Sequence, residues 1–324
     1  MAANDPATAT LTASRIKQRR LMAGYGLAAL GAAMFSSKAI FVKIAYLEEP
    51  DAAMLLALRM LFSLPFFLAI GAVAHLKRKA QGRAMPDRQT VAACIGSGFI
   101  GYYLAAILDF EALTYITAQL ERLVLFSYPL FVMILGAMFF ARRMTVSGVI
   151  GALITYGGLA VVFQRGIEIG GSNTLIGASL VLAAALSFAL YQLLAQGFIA
   201  KLGSMVFTSV AMASAAVACI AHYWIKSGTL AFPVSPMFIG LAATLALVAT
   251  VLPSFLVNAG LARIGPQATA MISTLSPLMT IFLAVEILGE PFTLLDAAGT
   301  ALVIAGIGYY TLADMRAQRL LNEA

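Results

Sequence analysis

Residues 113–158 read LTYITAQLERLVLFSYPLFVMILGAMFFARRMTVSGVIGALITYGG, and residues 261–306 repeat them as LARIGPQATAMISTLSPLMTIFLAVEILGEPFTLLDAAGTALVIAG. The copies align without a gap at a constant offset of 148. The identical pairs are Leu113 with Leu261, Ile116 with Ile264, Gln119 with Gln267, Pro129 with Pro277, Leu130 with Leu278, Leu135 with Leu283, Thr145 with Thr293, Gly151 with Gly299 and Gly158 with Gly306. Arg142 and Arg143, however, pair with Glu290 and Pro291. A duplicated unit whose copies carry opposite end charges indicates two copies inserted into a membrane in opposite directions.

The composition places the chain in the membrane. Of 324 residues, 61% are hydrophobic and only 11% are charged, with a mean hydropathy of +0.93, which is too apolar for a soluble domain. A transmembrane helix needs roughly 20 apolar residues. The sequence predicts ten such spans, at residues 21–46, 52–74, 90–110, 117–140, 146–163, 175–199, 204–224, 237–259, 267–288 and 294–313. The apolar runs are continuous rather than alternating, which excludes a transmembrane barrel and predicts an all-α integral membrane protein.

The spans divide into two inverted halves of five helices each. Because five is odd, the second half must start from the opposite face of the membrane. The predicted organisation is a flexible cytoplasmic tail (1–20), a first repeat (21–163), a connection (164–174), a second repeat (175–313) and a cytoplasmic tail (314–324). A cleaved signal peptide is the rival interpretation of residues 1–46, but removing it would break the ten-span count.

Basic residues lie almost wholly in alternate connections. Fifteen of them fall on one side: Arg15, Lys17, Arg19, Arg20, Lys77, Arg78, Lys79, Arg83, Arg88, Arg142, Arg143, Lys201, Arg263, Arg316 and Arg319. By the positive-inside rule this side is the cytoplasm, so both termini are predicted to be cytoplasmic. The net charge of +7 is therefore a topology signal, and we predict no nucleic-acid partner.

No cofactor or metal site is predicted. Cys94, Cys219, His75 and His222 lack the paired spacing of metal ligands. Motifs of hydrolases, metalloproteases and phosphate-binding loops are absent, which argues against a membrane enzyme. A channel or a structural membrane protein remains open, although no filter segment is visible.

Charges inside a span are costly, so each one needs a partner or a wet cavity. The candidates are Lys38, Lys43, Arg59, Glu121 and Arg122. Lys43 lies near the end of its span and can reach the interface. Arg59 must find a partner on another helix or lie in water, and both structural pairing and substrate binding are open for it. Glu121 and Arg122 point about 100 degrees apart on a helix, so each faces something different.

Polar stripes at helical spacing indicate a shared aqueous cavity, although bonding between helices is an alternative. One stripe consists of Glu121, Leu125 and Tyr128, and the repeat maps it onto Thr269, Ser273 and Ser276. Two further stripes are Thr250, Ser254 and Asn258, and Ser187, Tyr191 and Gln192. Pro129 and Pro277 interrupt equivalent spans and are either hinges or shape the packing. Spans five and ten are rich in Gly and Ala and are assigned to scaffold or subunit packing.

Several motifs carry a resemblance to a known family. Residues 112–115 (ALTY), 128–129 (YP) and 142–145 (RRMT) resemble the first EamA repeat of the drug/metabolite transporter superfamily. The second half is similar to the family pattern at residues 260–261 (GL), 276–278 (SPL) and 288–293 (LGEPFT). The resemblance implies a ten-helix exporter or exchanger in the plasma membrane, the inner membrane of a bacterium, with a central cavity and alternating access. Bacterial exporters of neutral and aromatic amino acids are the nearest functional analogue that it suggests.

These observations predict a site near the midplane for a zwitterionic small molecule. Lys38 or Arg122 would meet its carboxylate, and Glu121 would meet its ammonium or balance Lys38. The predicted site comprises Lys38, Tyr102, Tyr103, Glu121, Arg122, Tyr128, Ser187, Tyr191, Gln192, Ser254, Asn258, Thr269, Ser273 and Ser276. Glu121 could instead carry a proton, because burial disfavours the charged form of a carboxylate. Nucleosides, sugar-like metabolites and lipophilic drugs are the alternative substrates, the other partner is membrane lipid, and the protein is predicted to be a monomer or homodimer.

Overall fold

The computed structural model describes residues 6–82, 86–139, 146–170, 172–257, 259–260, 263–264 and 276–323. Within these ranges the regular structure is entirely helical. The helices are α1 Pro6–Ser36, α2 Lys38–Tyr46, α3 Ala52–Ala80, α4 Arg88–Gly98, α5 Ala105–Ala112, α6 Ala118–Leu125, α7 Tyr128–Phe139, α8 Val146–Gly170, α9 Ser172–Leu202, α10 Ser204–Ser227, α11 Pro236–Ala246, α12 (residues 252–257), α13 Ser276–Leu288 and α14 Leu294–Glu323. Two π-helical segments, Phe99–Leu104 and Leu247–Val251, join α4 to α5 and α11 to α12.

The helices have the length and composition of a membrane protein. Among the described residues, seven helical stretches are long and apolar enough to cross a bilayer: Leu21–Tyr46, Ala52–Ala80, Arg88–Ala112, Ala118–Phe139, Asn173–Ile199, Ser204–Ser227 and Pro236–Val257. Shorter apolar helices, Val146–Val162, Ser276–Leu288 and Leu294–Tyr309, lie where spans five, nine and ten are predicted. The prediction of an all-helical membrane protein is confirmed, and the count of ten spans stays a prediction.

Helices extend further than the predicted spans. α1 begins at Pro6, although residues 1–20 are predicted to be a flexible tail. α8 continues to Gly170, α9 begins at Ser172 and α14 reaches Glu323, so helix also covers most of the predicted connection and C-terminal tail. The two terminal extensions are rich in Ala, Arg, Gln and Leu, which favour helix, whereas hydropathy marks only the part inside the bilayer. The connection, which reads QRGIEIG over residues 164–170, does not have this composition.

Helices α8 and α14, which are equivalent in the repeat, pack against each other in antiparallel directions. A Cβ built on Gly158 would lie 2.7 Å from the carbonyl oxygen of Gly299, and one on Gly306 would lie 2.7 Å from that of Gly151. Because Gly151 is equivalent to Gly299 and Gly158 to Gly306, the two contacts are copies of each other. This reciprocity is the mark of a pseudo-twofold interface, and the opposite helix directions are those that an inverted repeat requires.

A second pair of contacts repeats the same relation elsewhere. A Cβ on Gly24 would lie 2.6 Å from Ile264 Cγ2, and one on Gly177 would lie 2.5 Å from Ile116 Cγ2. The two isoleucines are 148 positions apart, which is the offset of the repeat. The two glycines are 153 positions apart, which is the offset at which Phe35 and Lys38 of the first span align with Phe188 and Tyr191 of the sixth. The π-helical segments also begin 148 positions apart, at Phe99 and Leu247. The duplication thus extends to backbone irregularities that hydropathy cannot detect.

Two helix breaks position the polar residues of the first half. The first span breaks between α1 and α2 at Ser37, whose hydroxyl donates to the Met34 carbonyl at 2.7 Å. The fourth span breaks between α6 and α7, where Pro129 occupies the second position of α7 and has no N–H to continue the ladder. Pro277 holds the same position in α13. The predicted interruption at Pro129 is present, and whether it acts as a hinge stays a prediction.

The ends of the helices fall into two groups. At one end, which we call the acidic end, Lys226 at the end of α10 bonds Asp51 before α3 at 2.9 Å, and Ser235 bonds Glu48 at 2.9 Å. At the opposite end, the basic end, Arg78 donates to the carbonyl oxygens of Lys201 and Leu202. Each group joins elements from both halves, in line with the predicted alternation of charge. Arg142 and Arg143, which belong to the same argument, lie outside the described residues.

Candidate functional site

The central polar site is built around Lys38, the first residue of α2. The preceding break at Ser36 and Ser37 ends one helix and starts the next, so that Lys38 lies inside the helix bundle. Its ammonium bonds to Asp109 on α5 and, at 3.2 Å, to Oε1 of Glu121 on α6. One cation therefore joins three helices of the first half.

The two carboxylates of this site are almost completely removed from solvent. Glu121 is 0% exposed and Asp109 is 4% exposed. Oδ1 of Asp109 and Oε2 of Glu121 have no hydrogen-bond partner in the described part of the chain. Buried carboxylates are ordinarily fully bonded, because an unsatisfied polar atom costs free energy of about 1–3 kcal/mol. The site thus combines a strong ion pair with oxygen atoms that retain bonding capacity.

Arg122 connects the first half to the second. It points away from Glu121, as its adjacent position on α6 requires, and donates to the hydroxyl of Ser276 at the start of α13. Ser276 also bonds Ser36 at 2.7 Å between hydroxyl oxygens, and Thr280 donates to the carbonyl oxygen of Ser36 at 2.9 Å. A buried hydrogen-bonded bridge therefore ties α1 and α6 to α13 across the two halves.

An aromatic group lies beside the charged residues. Tyr191 contacts Tyr102 edge to face at 4.9 Å between ring centroids and stacks on Phe188 at 5.7 Å, and Phe188 contacts Tyr128 at 5.2 Å. Tyr128 forms a side-chain hydrogen bond with Gln192. Electrostatic interaction with Arg122 connects Tyr128 to the charged site. Of the predicted residues, Tyr102, Tyr128, Tyr191 and Gln192 are thus brought together.

The first π-helical segment explains how Tyr191 reaches this position. A Cβ on Gly101 would lie 2.1 Å from the Tyr191 ring, so only glycine allows this approach. Tyr102 and Tyr103 are neighbours on this helical segment, so their side chains point to different sides of it. Tyr103 lies apart from the other tyrosines and bonds Nδ1 of His222 at 2.9 Å. The structure therefore does not bring Tyr103 into the aromatic group.

Two of the predicted serines, Ser187 and Ser254, bond backbone carbonyl oxygens. Ser187 donates to the carbonyl oxygen of Ile100 at 2.7 Å, which fixes α9 against the π-helical segment, and Ser254 donates to the carbonyl oxygen of Thr250 at 2.6 Å. Both bonds match the alternative that these hydroxyls stabilise helix packing. Three further predicted residues lie outside the described residues: Asn258, Thr269 and Ser273.

Two residues at or beside the site were not fully predicted from the sequence: Asp109 was missed, and the role of Arg59 was left open. Asp109 was overlooked, although an acidic residue inside a predicted span is the same signal that identified Glu121. Arg59, left open between pairing and substrate binding, lies with its guanidinium 4.8 Å from the Phe110 ring centroid and is 6% exposed. A cation over an aromatic face is stabilised by the ring's quadrupole, so Arg59 is held beside the site without a direct acid partner in the described residues.

Glu290 fastens the two halves together at the acidic end. Its carboxylate oxygens accept from the N–H groups of Ala118 at 2.7 Å and Gln119 at 3.2 Å. These N–H groups begin α6, where the helix dipole favours a negative charge. Glu290, which gives the second repeat its acidic end, therefore caps α6, the helix that carries Glu121 and Arg122.

Asp51 forms an ion pair with Lys226 at the acidic end, between the start of α3 and the end of α10. Burial acts to raise the pKa of its carboxyl, but hydrogen bonds from Lys226 and from the Met54 N–H outweigh this, so the pKa lies below its ordinary value. The carboxylate is therefore charged at neutral pH and its pairing is lost only in acid. Because half of the Lys226 side chain is exposed, the pair contributes little to stability.

A cavity of about 270 Å³ opens near the acidic end. It lies between α6, α8, α9 and α14 and is reached by Lys43 from α2. Lys38, Glu121 and Arg122 are not among the residues that line it. In the part of the chain that the structure describes, no group of three or more His, Cys, Asp or Glu residues is placed to hold a metal ion.

The comparisons with known proteins agree with this architecture. Residues 22–164 and again residues 175–312 match the EamA-like transporter family. A protein of Bacillus subtilis (strain 168) described as uncharacterized transporter YcbK is 32% identical over 313 residues, which is 91% of this chain and 96% of that protein. A solved crystal structure matches with a TM-score of 0.60 and 20% identity, covering 92% of this chain and 97% of the other, and this likeness supports the fold alone.

Proposed function

Because the chain belongs to the EamA-like transporter family, we propose that it is a secondary transporter that exports neutral or aromatic amino acids by alternating access through a central cavity. The observation that carries the proposal is the buried group of Lys38, Asp109, Glu121 and Arg122 beside the aromatic residues of the first half and α9. With the acidic end outside, as the positive-inside rule predicts, the solute would leave the cell at that end.

The charges suit a zwitterion. A substrate carboxylate would replace Asp109 or Glu121 as the partner of Lys38, or would bond Arg122. Its ammonium would bond the carboxylate that was displaced. This exchange leaves each buried charge with a partner, which matters because an unpaired buried ion costs several kcal/mol. The tyrosine and phenylalanine rings would then contact an apolar or aromatic side chain.

The hydrogen-bonded bridge between the halves supplies a candidate gate. On α13, Ser276 bonds Ser36 of α1 and accepts from Arg122 of α6, and Thr280 donates to the Ser36 carbonyl oxygen. A change of access would have to break these bonds. The nearby interruptions at Ser37 and Pro129 are the places where α2 and α7 could move relative to α1 and α6. Glu290 would close the outer end by holding the start of α6.

Counterflow in proteoliposomes tests the proposal directly. Purified protein is loaded with one solute and challenged with labelled amino acids, nucleosides and lipophilic cations. We expect saturable counterflow of neutral or aromatic amino acids and initial rates at least tenfold lower for Glu121→Gln and for Lys38→Ala. Glu49→Gln and Lys79→Ala, at exposed positions, are the matched controls and should retain wild-type rates.

Wild-type rates in both central variants would contradict the assigned site. Counterflow of nucleosides or lipophilic cations instead of amino acids would favour the second candidate, an exporter of nucleosides, sugar-like metabolites or drugs. The observation that favours that candidate is the aromatic group of Tyr102, Tyr128, Phe188 and Tyr191, which offers ring faces to a planar solute.

A further inference from the structure

The cavity near the acidic end has the form of a binding site of its own. Its wall contains apolar side chains, polar side chains, one cation and one carboxylate: Lys43, Thr114, Tyr115, Ile116, Thr117, Gln119, Leu120, Leu123, Val162, Thr174, Pro291, Asp296 and Thr300. The carboxylate, Asp296, accepts hydrogen bonds from the N–H and the hydroxyl of Thr293. Thr114, Tyr115, Thr117 and Pro291 are exposed, so a solute can reach the cavity from the surface. At about 270 Å³, the volume suits a small organic solute rather than a macromolecular segment.

Lys43 is the charge of this cavity that is available to a ligand. Its described electrostatic partners are Glu290 and Glu121, and neither forms a salt bridge with it in the described residues. Glu290 is already bonded by the N–H groups that begin α6, and Glu121 is bonded by Lys38. The ammonium of Lys43 is therefore attracted to its surroundings while its donors remain free to bond an anionic group.

Thr300 adds a second recognition group. Its side chain lines the cavity, the residue is only 4% exposed, and its hydroxyl has no hydrogen-bond partner in the described part of the chain. A buried hydroxyl without a partner costs free energy that a ligand can recover by bonding it. Ile116, Leu120 and Val162 form an apolar wall for the rest of the solute.

We propose that this cavity binds a small solute composed of a carboxylate and an apolar body, with Lys43 bonding the carboxylate and Thr300 donating to it. The inference rests on the transport function proposed above, in which the cavity is an outer station, that is, a second binding site between the central site and the outside. Lys38 and Lys43 lie five residues apart on α2, which is about 7.5 Å along a helix axis. A carboxylate released from Lys38 would thus meet a second ammonium on the same helix on its way outward.

Equilibrium binding to protein in lipid nanodiscs tests the cavity without requiring flux. The probes are labelled L-phenylalanine and labelled 3-phenylpropanoate, with phenethylamine, which lacks a carboxylate, as competitor. Measurements are made in the Lys38→Ala background, which removes the central lysine. We expect Lys43→Gln to weaken binding of both probes about tenfold or more, Thr300→Val to weaken it about threefold to tenfold, and phenethylamine not to compete.

Lys43→Arg and Lys226→Gln are the controls. Lys43→Arg keeps the charge and should bind within about threefold of its parent, whereas Lys226→Gln removes an exposed lysine at the same end and should change nothing. Should Lys43→Gln fail to fold, the affinity of Thr300→Val is compared with that of its parent, and an unchanged affinity overturns the proposal. Wild-type affinity in Lys43→Gln, or binding abolished by Lys38→Ala alone, overturns the proposal.

The two proposals fail in different ways. Binding that depends on Lys43, in a protein that shows no amino-acid counterflow, would contradict the transport substrate and support the cavity. Counterflow that proceeds at wild-type rates in Lys43→Gln, together with undiminished binding, would leave the transporter standing and remove the outer station.

Discussion

At the scale of single residues, the central site places two carboxylates on one ammonium. Asp109 and Glu121 share one ammonium from Lys38, so both carboxyl groups lie in the same buried site. Like charges in one buried site cannot both remain ionised without strong compensation. Arg122 supplies part of that compensation, but it is also bonded to Ser276 across the halves. A proton is therefore a candidate co-substrate of this site.

Replacement of Asp109 separates proton coupling from substrate binding. In Asp109→Asn, Lys38 and Glu121 would form a one-to-one pair with no surplus carboxylate to hold a proton. We expect an imposed pH gradient to accelerate transport by the wild type and to have no effect on this variant. The measurement is initial flux into proteoliposomes with and without the gradient, with Asp51→Asn as the control that keeps the acceleration. A wild type that is indifferent to the gradient would exclude this role.

The residues of the site were predictable where a charge stands alone in an apolar run. Lys38, Glu121 and Arg122 follow from that rule, and Asp109 would have followed had the rule been applied to the last turn of the third span. Tyr103 shows the limit: it neighbours Tyr102 on the helix but faces a different direction, where it bonds His222. Which side of this segment meets α9 is seen from the contact of Gly101 with Tyr191, and local sequence patterns do not reveal that contact.

At the scale of elements, close packing of α8 on α14 depends on glycine. A Cβ at Gly158 would lie 2.7 Å from the backbone oxygen of Gly299 and 2.8 Å from Leu302 Cβ. Neither atom can rotate away, so even one methyl group must push the helices apart. Gly157, by contrast, has no atom within 4 Å of such a Cβ.

Alanine at these two positions should have opposite effects. We expect Gly158→Ala to lower the free energy of unfolding by about 1–3 kcal/mol, as overpacking typically does. Gly157→Ala should leave it unchanged or raise it, because alanine favours helix over glycine by about 1 kcal/mol. Thermal unfolding midpoints in detergent compare the two variants. Equal midpoints would show that the glycine contact is not what sets the distance between the helices.

The helical character of the elements was predictable from the sequence, but the residues at which the helices begin and end were not. The assignment of spans five and ten to scaffold packing agrees with the contact between their glycines. This packing was predictable because the small residues can be read directly from the sequence. The break at Ser36 and Ser37 was missed although paired serines are a known cause of helix kinks. Its position depends on bonds from Ser36 to Ser276, a residue 240 positions away, which local patterns cannot reveal.

At the scale of the whole molecule, the two ends differ in charge and in the way they are fastened. The acidic end is joined by the pair Asp51 and Lys226 and by Glu290 on α6. The basic end is joined by Arg78. The repeat was predictable from the offset of 148, in agreement with the two family matches, and its inversion stays a prediction that rests on the charges. The partner of each charge was not, because it follows from how the halves dock.

Labelling of single cysteines determines which end faces outward. In a background with Cys94→Ala and Cys219→Ala, both buried positions, Thr229→Cys lies at the acidic end and Gln81→Cys at the basic end, and both side chains are exposed. We expect a membrane-impermeant maleimide to label Thr229→Cys in intact cells and Gln81→Cys only after permeabilisation. The reverse pattern would invert the proposed direction of export and place both termini outside.

The reciprocal contacts of Gly158 with Gly299 and of Gly151 with Gly306 mean that one covalent chain contains both members of a self-complementary pair. A homodimer of identical subunits must change both copies of a surface together, whereas this chain can alter one copy and keep the other. Lys38 and its equivalent Tyr191 illustrate the freedom that follows: the first joins two carboxylates and the second stacks on rings. Fusion of two like units has thus allowed asymmetric chemistry inside a nearly symmetric frame.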